Sequence, residues 1–181
     1  MRIVFYGNKQ AGMIGLLTAL AMGKEVVEVW EDEGFGIPGL NWLPIKRRKI
    51  YSRSDLMLLG SDVEADLLLC IHGRKIVPEE TLQKFKYGGV NLHPFLDKYP
   101  GSRPVARALL ARERIASVYA HQMTSEVDKG EIVAYATTQI PTIDEHPDLD
   151  VVHIYNHLYP LYALVTSEVL KLFASKQNQT K

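Results

Sequence analysis

The sequence predicts an α/β fold: an open, twisted, mostly parallel sheet with an antiparallel addition and one long C-terminal helix, in a single domain over residues 1–181. Three patterns carry that reading. The chain starts strand–turn–helix–strand, it goes on alternating short apolar runs with helical segments to about residue 92, and it then changes to two facing strand-like runs. The start is Arg2-Ile3-Val4-Phe5-Tyr6, a buried strand, followed by a tight turn from Gly7 to Gly12. A helix runs from about Gly12 to Met22, with Met13, Leu16, Leu17, Leu20 and Ala21 at helical spacing. Gly23 ends it, and Glu25 to Trp30 is the next strand, so the first unit is βαβ and implies parallel pairing.

Residues 31–53 hold Gly34, Gly36, Pro38 and Gly39 in a long loop. The run Lys46-Arg47-Arg48-Lys49 follows, and it reads either as a solvated loop or strand edge or as an anion contact. A short helix near Ser54 to Leu59 precedes a strand from Ala65 to Ile71. Pro78-Glu79-Glu80 opens another helix, because a missing donor is harmless there and acids suit the positive end of the helix dipole. Gly89 to Leu92 is a short strand and Pro104 to Ala111 a helix. Ile115–Met123 and Ile132–Ile140 flank the compact Asp128-Lys129-Gly130, as in an antiparallel pair, with Gly130 expected to supply the unusual dihedrals. The last helix covers about Asp150 to Ala174. Pro160 is expected to kink or divide it, and residues 175–181 to fray.

Lys+Arg and Asp+Glu balance at 21 each, and a neutral chain lacks the basic excess that nucleic-acid or membrane-surface binding needs. Hydrophobic content of 46% is that of a globular domain. The lone Cys70, inside an apolar strand, reads as a core thiol and implies a reducing, cytoplasmic setting. No stretch has the length of a signal h-region or a membrane span.

Ligands of open parallel sheets sit at the carboxyl ends of the strands, where loops begin here at Gly7, His72 and Leu92. Asn91 and His93 share one face of their strand, since alternation puts positions i and i+2 together. An amide donor, an imidazole and the carboxylate of Asp128 suit acyl transfer to an amine. Asn91 and protonated His93 can donate to a tetrahedral oxyanion, and Asp128 can favour the charged imidazole and receive a proton. Taken alone, Asn-x-His at a strand end equally describes a loop-capping pair, and Asp128 a turn residue.

The segment Asn91-Leu92-His93-Pro94-Phe95-Leu96-Asp97-Lys98-Tyr99-Pro100-Gly101 closely resembles the signature loop of the N10-formyltetrahydrofolate-dependent formyltransferases. A second block, His121-Gln122-Met123-Thr124-Ser125-Glu126-Val127-Asp128-Lys129-Gly130, looks like the same family's His, acidic turn and Asp-x-Gly, at a fitting distance. The resemblance implies that Asn91, His93 and Asp128 are the catalytic residues. It also implies a formyl donor, N10-formyltetrahydrofolate, bound near Gly73, Arg74, Lys75, Ile76, His121, Ser125 and Val127, with no metal. Phe95 and a loop one residue shorter depart from the family pattern at the rim.

The methionyl-tRNA members carry an additional C-terminal domain that helps hold tRNA. This chain ends before one and is not basic, so tRNA is not the expected acceptor. The glycinamide members bind phosphate with a Gly-Asn-x-Ser-Asn turn, of which Gly7-Asn8-Lys9-Gln10-Ala11 keeps only the start. Their terminal-helix glutamate is replaced around Tyr155 and Asn156. The expected acceptor is therefore the amine of a nucleotide-linked amino sugar, with Asn8 and Lys9 toward a phosphate and Tyr6 or Trp30 stacking on base or sugar. Core packing is the competing reading of both aromatics. Glycinamide ribonucleotide is the alternative acceptor, and a folate-binding module without turnover is the reading from a different class. The expected partner is a small-molecule amine, with no nucleic acid, no membrane and room for a homodimer.

Overall fold

The structure is a computed structural model that describes residues 1–59, 63–141 and 150–179. Seven strands form one sheet. β1 (Arg2–Gly7) has β2 (Glu25–Asp32) and then β3 (Arg47–Ile50) on one side. On its other side lie β4 (Leu67–Ile71), β5 (Gly89–Pro94), β6 (Ile115–Gln122) and β7 (Ile132–Gln139). Pairing is parallel from β3 through β5 and antiparallel for β6 and β7, as the sequence predicts.

Alternation along the strands builds a core on each face. Leu67, Leu69 and Ile71 pack with helices α1 (Lys9–Ala21), α4 (Pro104–Leu110) and α5 (Val151–Gln179). Leu68 and Cys70 face the opposite layer, with α2 (Arg53–Leu58) and α3 (Glu79–Leu82). The α2 start is fixed by a capping box between Ser52 and Asp55. Among the described residues no helix is long and apolar enough to cross a membrane.

Several boundaries differ from expectation. Helix α1 begins at Lys9, inside the segment read as a turn, because Asn8 takes an extended N-cap conformation and the Gly12 N–H already bonds to its carbonyl. Helix α5 runs unbroken through Pro160. Pro160 and Asn156 both lie on the exposed side, where water can satisfy the carbonyl that proline cannot bond. Helix α5 continues over 175–179, where Gln177 Nε2 lies 3.4 Å from Asp66 Oδ2, and residues 180–181 of the end expected to fray lie outside the described residues.

The basic run becomes an edge strand whose charge is used inside the protein. Glu28 and Glu31 are buried on β2. Lys46 Nζ lies 3.5 Å from the Glu28 carboxylate, Arg48 hydrogen-bonds the same group, and Lys49 Nζ lies 3.3 Å from Glu31. Buried carboxylates need such partners, so three of the four cations answer to the strand beside them rather than to a ligand.

From β1 the chain winds outward to β2 and β3, while β4 and β5 lie on the other side. The carboxyl ends of β1 and β4 are therefore the topological switch point, where such sheets open a crevice.

Candidate functional site

At that switch point lies a cavity of about 560 Å³, within the usual range for a small-molecule site. Its floor is the end of β5, with Asn91 and His93 on one face and Leu92 turned into the core. The β6–β7 connection brings in Asp128, the β4–α3 loop brings residues 72–77, and Asn8 and Lys9 enter from the end of β1.

Strand register explains the polar corner. Asn91 is the cross-strand partner of His121, and its Nδ2 lies 3.2 Å from His121 Nε2. His121 Nδ1 faces the Gln122 carbonyl at 3.1 Å and must donate to it, so the tautomer that accepts from Asn91 is the neutral one. His121 Nε2 is also 3.5 Å from Asp128 Oδ1, a longer contact that a protonated His121 would serve instead. His93 Nε2 lies 3.4 Å from Asp128 Oδ2 and 3.0 Å from the Gly101 carbonyl, and its Nδ1 lies 2.9 Å from the Pro94 carbonyl. Both His93 nitrogens thus face oxygen acceptors, which the doubly protonated ring satisfies at once.

Asp128 is the hub. Its carboxylate also accepts the Gly101 N–H at 2.7 Å. Burial alone would raise its carboxyl, but a hydrogen bond from His121 in its protonated form, the His93 charge and the Gly101 amide together hold it below the ordinary value. The turn is made differently from expectation: Asp128 itself takes the left-handed conformation, with φ of 58°. Gly130 is required for another reason, since a β-carbon there would sit 1.7 Å from the Gln122 carbonyl oxygen.

Backbone strain collects here. Of the six non-glycine residues with positive φ among the described residues, Lys9, His72, Arg103 and Asp128 line this cavity. Unfavourable dihedrals held by surrounding structure are a mark of functional sites.

The loop after β4 is held by a residue that the sequence reading missed. Asp32, buried at the end of β2, accepts the Tyr6 hydroxyl at 2.8 Å, the Asn8 amide at 2.7 Å and the Arg74 N–H at 2.8 Å. Tyr6 in turn accepts the Lys75 N–H at 3.0 Å. Gly73 must lack a side chain, because a β-carbon would meet the Tyr6 ring at 2.5 Å and Cys70 Sγ at 2.7 Å. The Arg74 and Lys75 amides are therefore occupied. What residues 73–76 and the facing turn offer a flat ring is apolar surface: Ile76 and Val127 both line the cavity and are 49% and 51% exposed.

The remaining expected residues divide. Lys9 lines the cavity near Phe35, which Arg74 covers at 3.8 Å from the ring centroid. Asn8 also lines it, but its amide is taken by Asp32 and the His72 carbonyl, so it shapes the wall instead of offering a free donor. Tyr6 and Trp30 are fully buried outside it, which corrects the stacking role expected of them. Trp30 packs between Tyr6 and Phe85 in the core, and the Tyr6 hydroxyl holds the loop. Ser125 is exposed and outside the lining, while its neighbours Thr124 and Glu126 are in it. Cys70 touches the cavity, but burial pushes its thiol up to about 12, so it stays protonated and is no nucleophile. Phe35 and Arg103 were not anticipated in the site, while His72 was expected only as the start of a strand-end loop and Tyr155 only as the replacement of a glutamate. For His72 the signal was present, since it directly follows a strand at its carboxyl end.

The profile of the formyl transferase family matches residues 4–157. The methionyl-tRNA formyltransferase of Rhodopirellula baltica is 38% identical over 92 residues, covering 50% of this chain and 28% of that one. The bifunctional polymyxin resistance protein ArnA of Wigglesworthia glossinidia brevipalpis is 24% identical over 174 residues, 89% of this chain and 27% of that one. Against these two curated relatives, the chain spans under a third of their length. Among solved structures, glycinamide ribonucleotide transformylase 1 from Symbiobacterium toebii superposes with a TM-score of 0.79 at 19% identity, over 97% of this chain and 88% of that one, a likeness of fold.

Proposed function

Because the chain belongs to the formyl transferase family, we propose that it transfers the formyl group of N10-formyltetrahydrofolate to a primary amine, most favourably that of a nucleotide-linked amino sugar. The observation that carries this is the corner in which one buried carboxylate, Asp128, lies between two imidazoles, with Asn91 beside it, in the crevice of the sheet.

The residues divide the work by their chemistry. Ile76 and Val127 offer apolar faces to the pterin, on a loop that Gly73 lets pack closely against Tyr6 and Cys70. Asn91 Nδ2 and His93 Nε2–H are the donors for the oxygen on which charge builds as the amine nitrogen bonds to the formyl carbon. One such donor typically contributes a factor of about 10²–10³ in rate. The bond from that carbon to N10 then breaks, and N10 needs the proton that the amine gives up. Asp128, facing both imidazoles, is placed to hold that proton between the two events. Lys9 supplies a cation for a phosphate at the mouth. The preference for a sugar-borne amine rests on the missing Ser-Asn after Asn8 and on Tyr155 in place of a carboxylate.

The test is to follow tetrahydrofolate release by absorbance from N10-formyltetrahydrofolate with nucleotide-linked amino sugars and with glycinamide ribonucleotide. Release that needs an amine and is lost in His93→Ala is the expected outcome. Release that survives in His93→Ala removes the catalytic assignment, and binding without release for every amine favours a folate-binding module.

A further inference from the structure

His72 and Tyr155 also line the cavity, and the transfer chemistry above uses neither. His72 has a φ of 63°, a conformation that glycine adopts freely and a β-carbon disfavours, yet the chain keeps a large ring there. The ring is fixed from behind. Its Nε2 lies 2.8 Å from the hydroxyl of the buried Tyr162, which has no other acceptor among the described residues, so the phenol donates and Nε2 accepts. His72 is thereby the neutral tautomer with its proton on Nδ1. Burial, followed by the charges of Lys9 and His93, pulls its titration down to about 4, so it stays neutral. The rings of Tyr155 and Tyr162 meet it edge-on at 5.7 and 5.5 Å. Nδ1–H, with no protein partner among the described residues, is the polar group left for a ligand.

We propose that His72 determines acceptor specificity: locked by Tyr162, it offers one neutral N–H beside the Tyr155 ring and selects a primary amine borne on a sugar ring, whose hydroxyl accepts from Nδ1 and whose apolar face rests on Tyr155. This rests on the formyl-transfer reading. Carbohydrate rings have the combination this wall asks for, an oxygen acceptor at the edge and C–H bonds on the face.

The experiment measures steady-state transfer from N10-formyltetrahydrofolate with two probes, a dTDP-linked 4-amino-4,6-dideoxyhexose and glycinamide ribonucleotide. The enzymes are wild type, His72→Gly and His72→Asn. Wild type should prefer the sugar. His72→Gly, whose backbone is unstrained at this φ, should fold and bind tetrahydrofolate normally. Its KM for the sugar should rise about tenfold, equivalent to about 1.4 kcal/mol, with the KM for the formyl donor unchanged. His72→Asn tolerates the left-handed conformation and carries an amide donor near the position of Nδ1, so it should recover most of that loss. An unchanged sugar KM in His72→Gly, an equal rise in donor KM, or a wild-type preference for glycinamide ribonucleotide overturns the inference while leaving formyl transfer intact. Tetrahydrofolate binding without transfer to either probe in wild type overturns the transfer reading, and the inference falls with it.

Discussion

Replacing Asp32 by Asn tests whether one buried carboxylate holds the folate-side loop. Its oxygens accept from the Tyr6 hydroxyl, the Asn8 amide and the Arg74 N–H, all at 2.7–2.8 Å. Asn has the same shape but a single acceptor oxygen. Placed at the Oδ2 position, that oxygen keeps Asn8 and Arg74, and the new NH₂ then meets the Tyr6 hydroxyl donor to donor. Tyr6 already accepts from Lys75, so its proton loses its only acceptor among the described residues. A buried donor left unpaired costs about 1–3 kcal/mol, and the two surviving bonds lose their charge assistance. Relief from desolvating a carboxylate offsets part of this, which leaves about 2 kcal/mol. For a domain of this size that is a fall of about 4–8 °C in Tm. The larger effect should be on the site, because the Arg74 and Lys75 amides depend on this network, and the Kd for tetrahydrofolate should rise about tenfold or more. Thermal unfolding by circular dichroism and calorimetric titration with tetrahydrofolate read the two effects. A Tm within about 1 °C of wild type together with an unchanged Kd would refute the reasoning.

Three further outcomes are expected. Gly73→Ala puts a β-carbon 2.5 Å from the Tyr6 ring, so it should lose about 2 kcal/mol of stability and most tetrahydrofolate binding; a variant that binds normally would show that the loop can shift. The folded His72 titrates near 4 and an unfolded histidine near 6.5, so its contribution is complete above pH 6.5 and declines as pH falls toward 4, by at most about 3 kcal/mol; urea unfolding at pH 7 and pH 4.5 should show a smaller difference in His72→Asn than in wild type. Pro160→Ala restores a helical N–H in the middle of α5 and should raise stability by about 1–2 kcal/mol in the same unfolding assay; a stability at or below wild type would show that the proline fits its backbone without strain.

Apart from the cationic β3, the sheet was legible because its strands are short, largely apolar runs that end in glycine, polar residues or proline, and their alternation is local. The Asn91–His93 pair was legible for the same reason, as i and i+2 on one strand. What was not legible depends on register between distant strands. Asn91 opposite His121, Glu28 beside Lys46 and Arg48, and Asp32 beneath Arg74 follow only once β5 lies against β6, β3 against β2, and the β4 loop over the β2 end. Tyr6 and Trp30 illustrate a competing rule: strands in the middle of a parallel sheet are covered on both faces, so their aromatics pack in the core and do not reach a ligand. The turn at Asp128 shows the limit of reading glycine by type. Gly130 is needed for a close approach to β6, and the left-handed dihedral falls on the carboxylate itself. His72 carried a positional signal, the end of a strand at the switch point, but its tautomer depends on Tyr162, ninety residues away.

The central claim is that Asp128 works as a charged partner of His93 in formyl transfer. The most direct measurement is kcat for tetrahydrofolate release in Asp128→Asn, at saturating N10-formyltetrahydrofolate and amine, beside the Kd for tetrahydrofolate. Asn tolerates the left-handed conformation at that position and can still accept the Gly101 N–H, so fold and folate binding should persist. The account predicts a Kd within about threefold of wild type and a fall in kcat of about 10²-fold or more, because the imidazole loses its counter-charge and the departing proton its acceptor. Wild-type kcat in Asp128→Asn would contradict it and leave Asp128 as a turn residue.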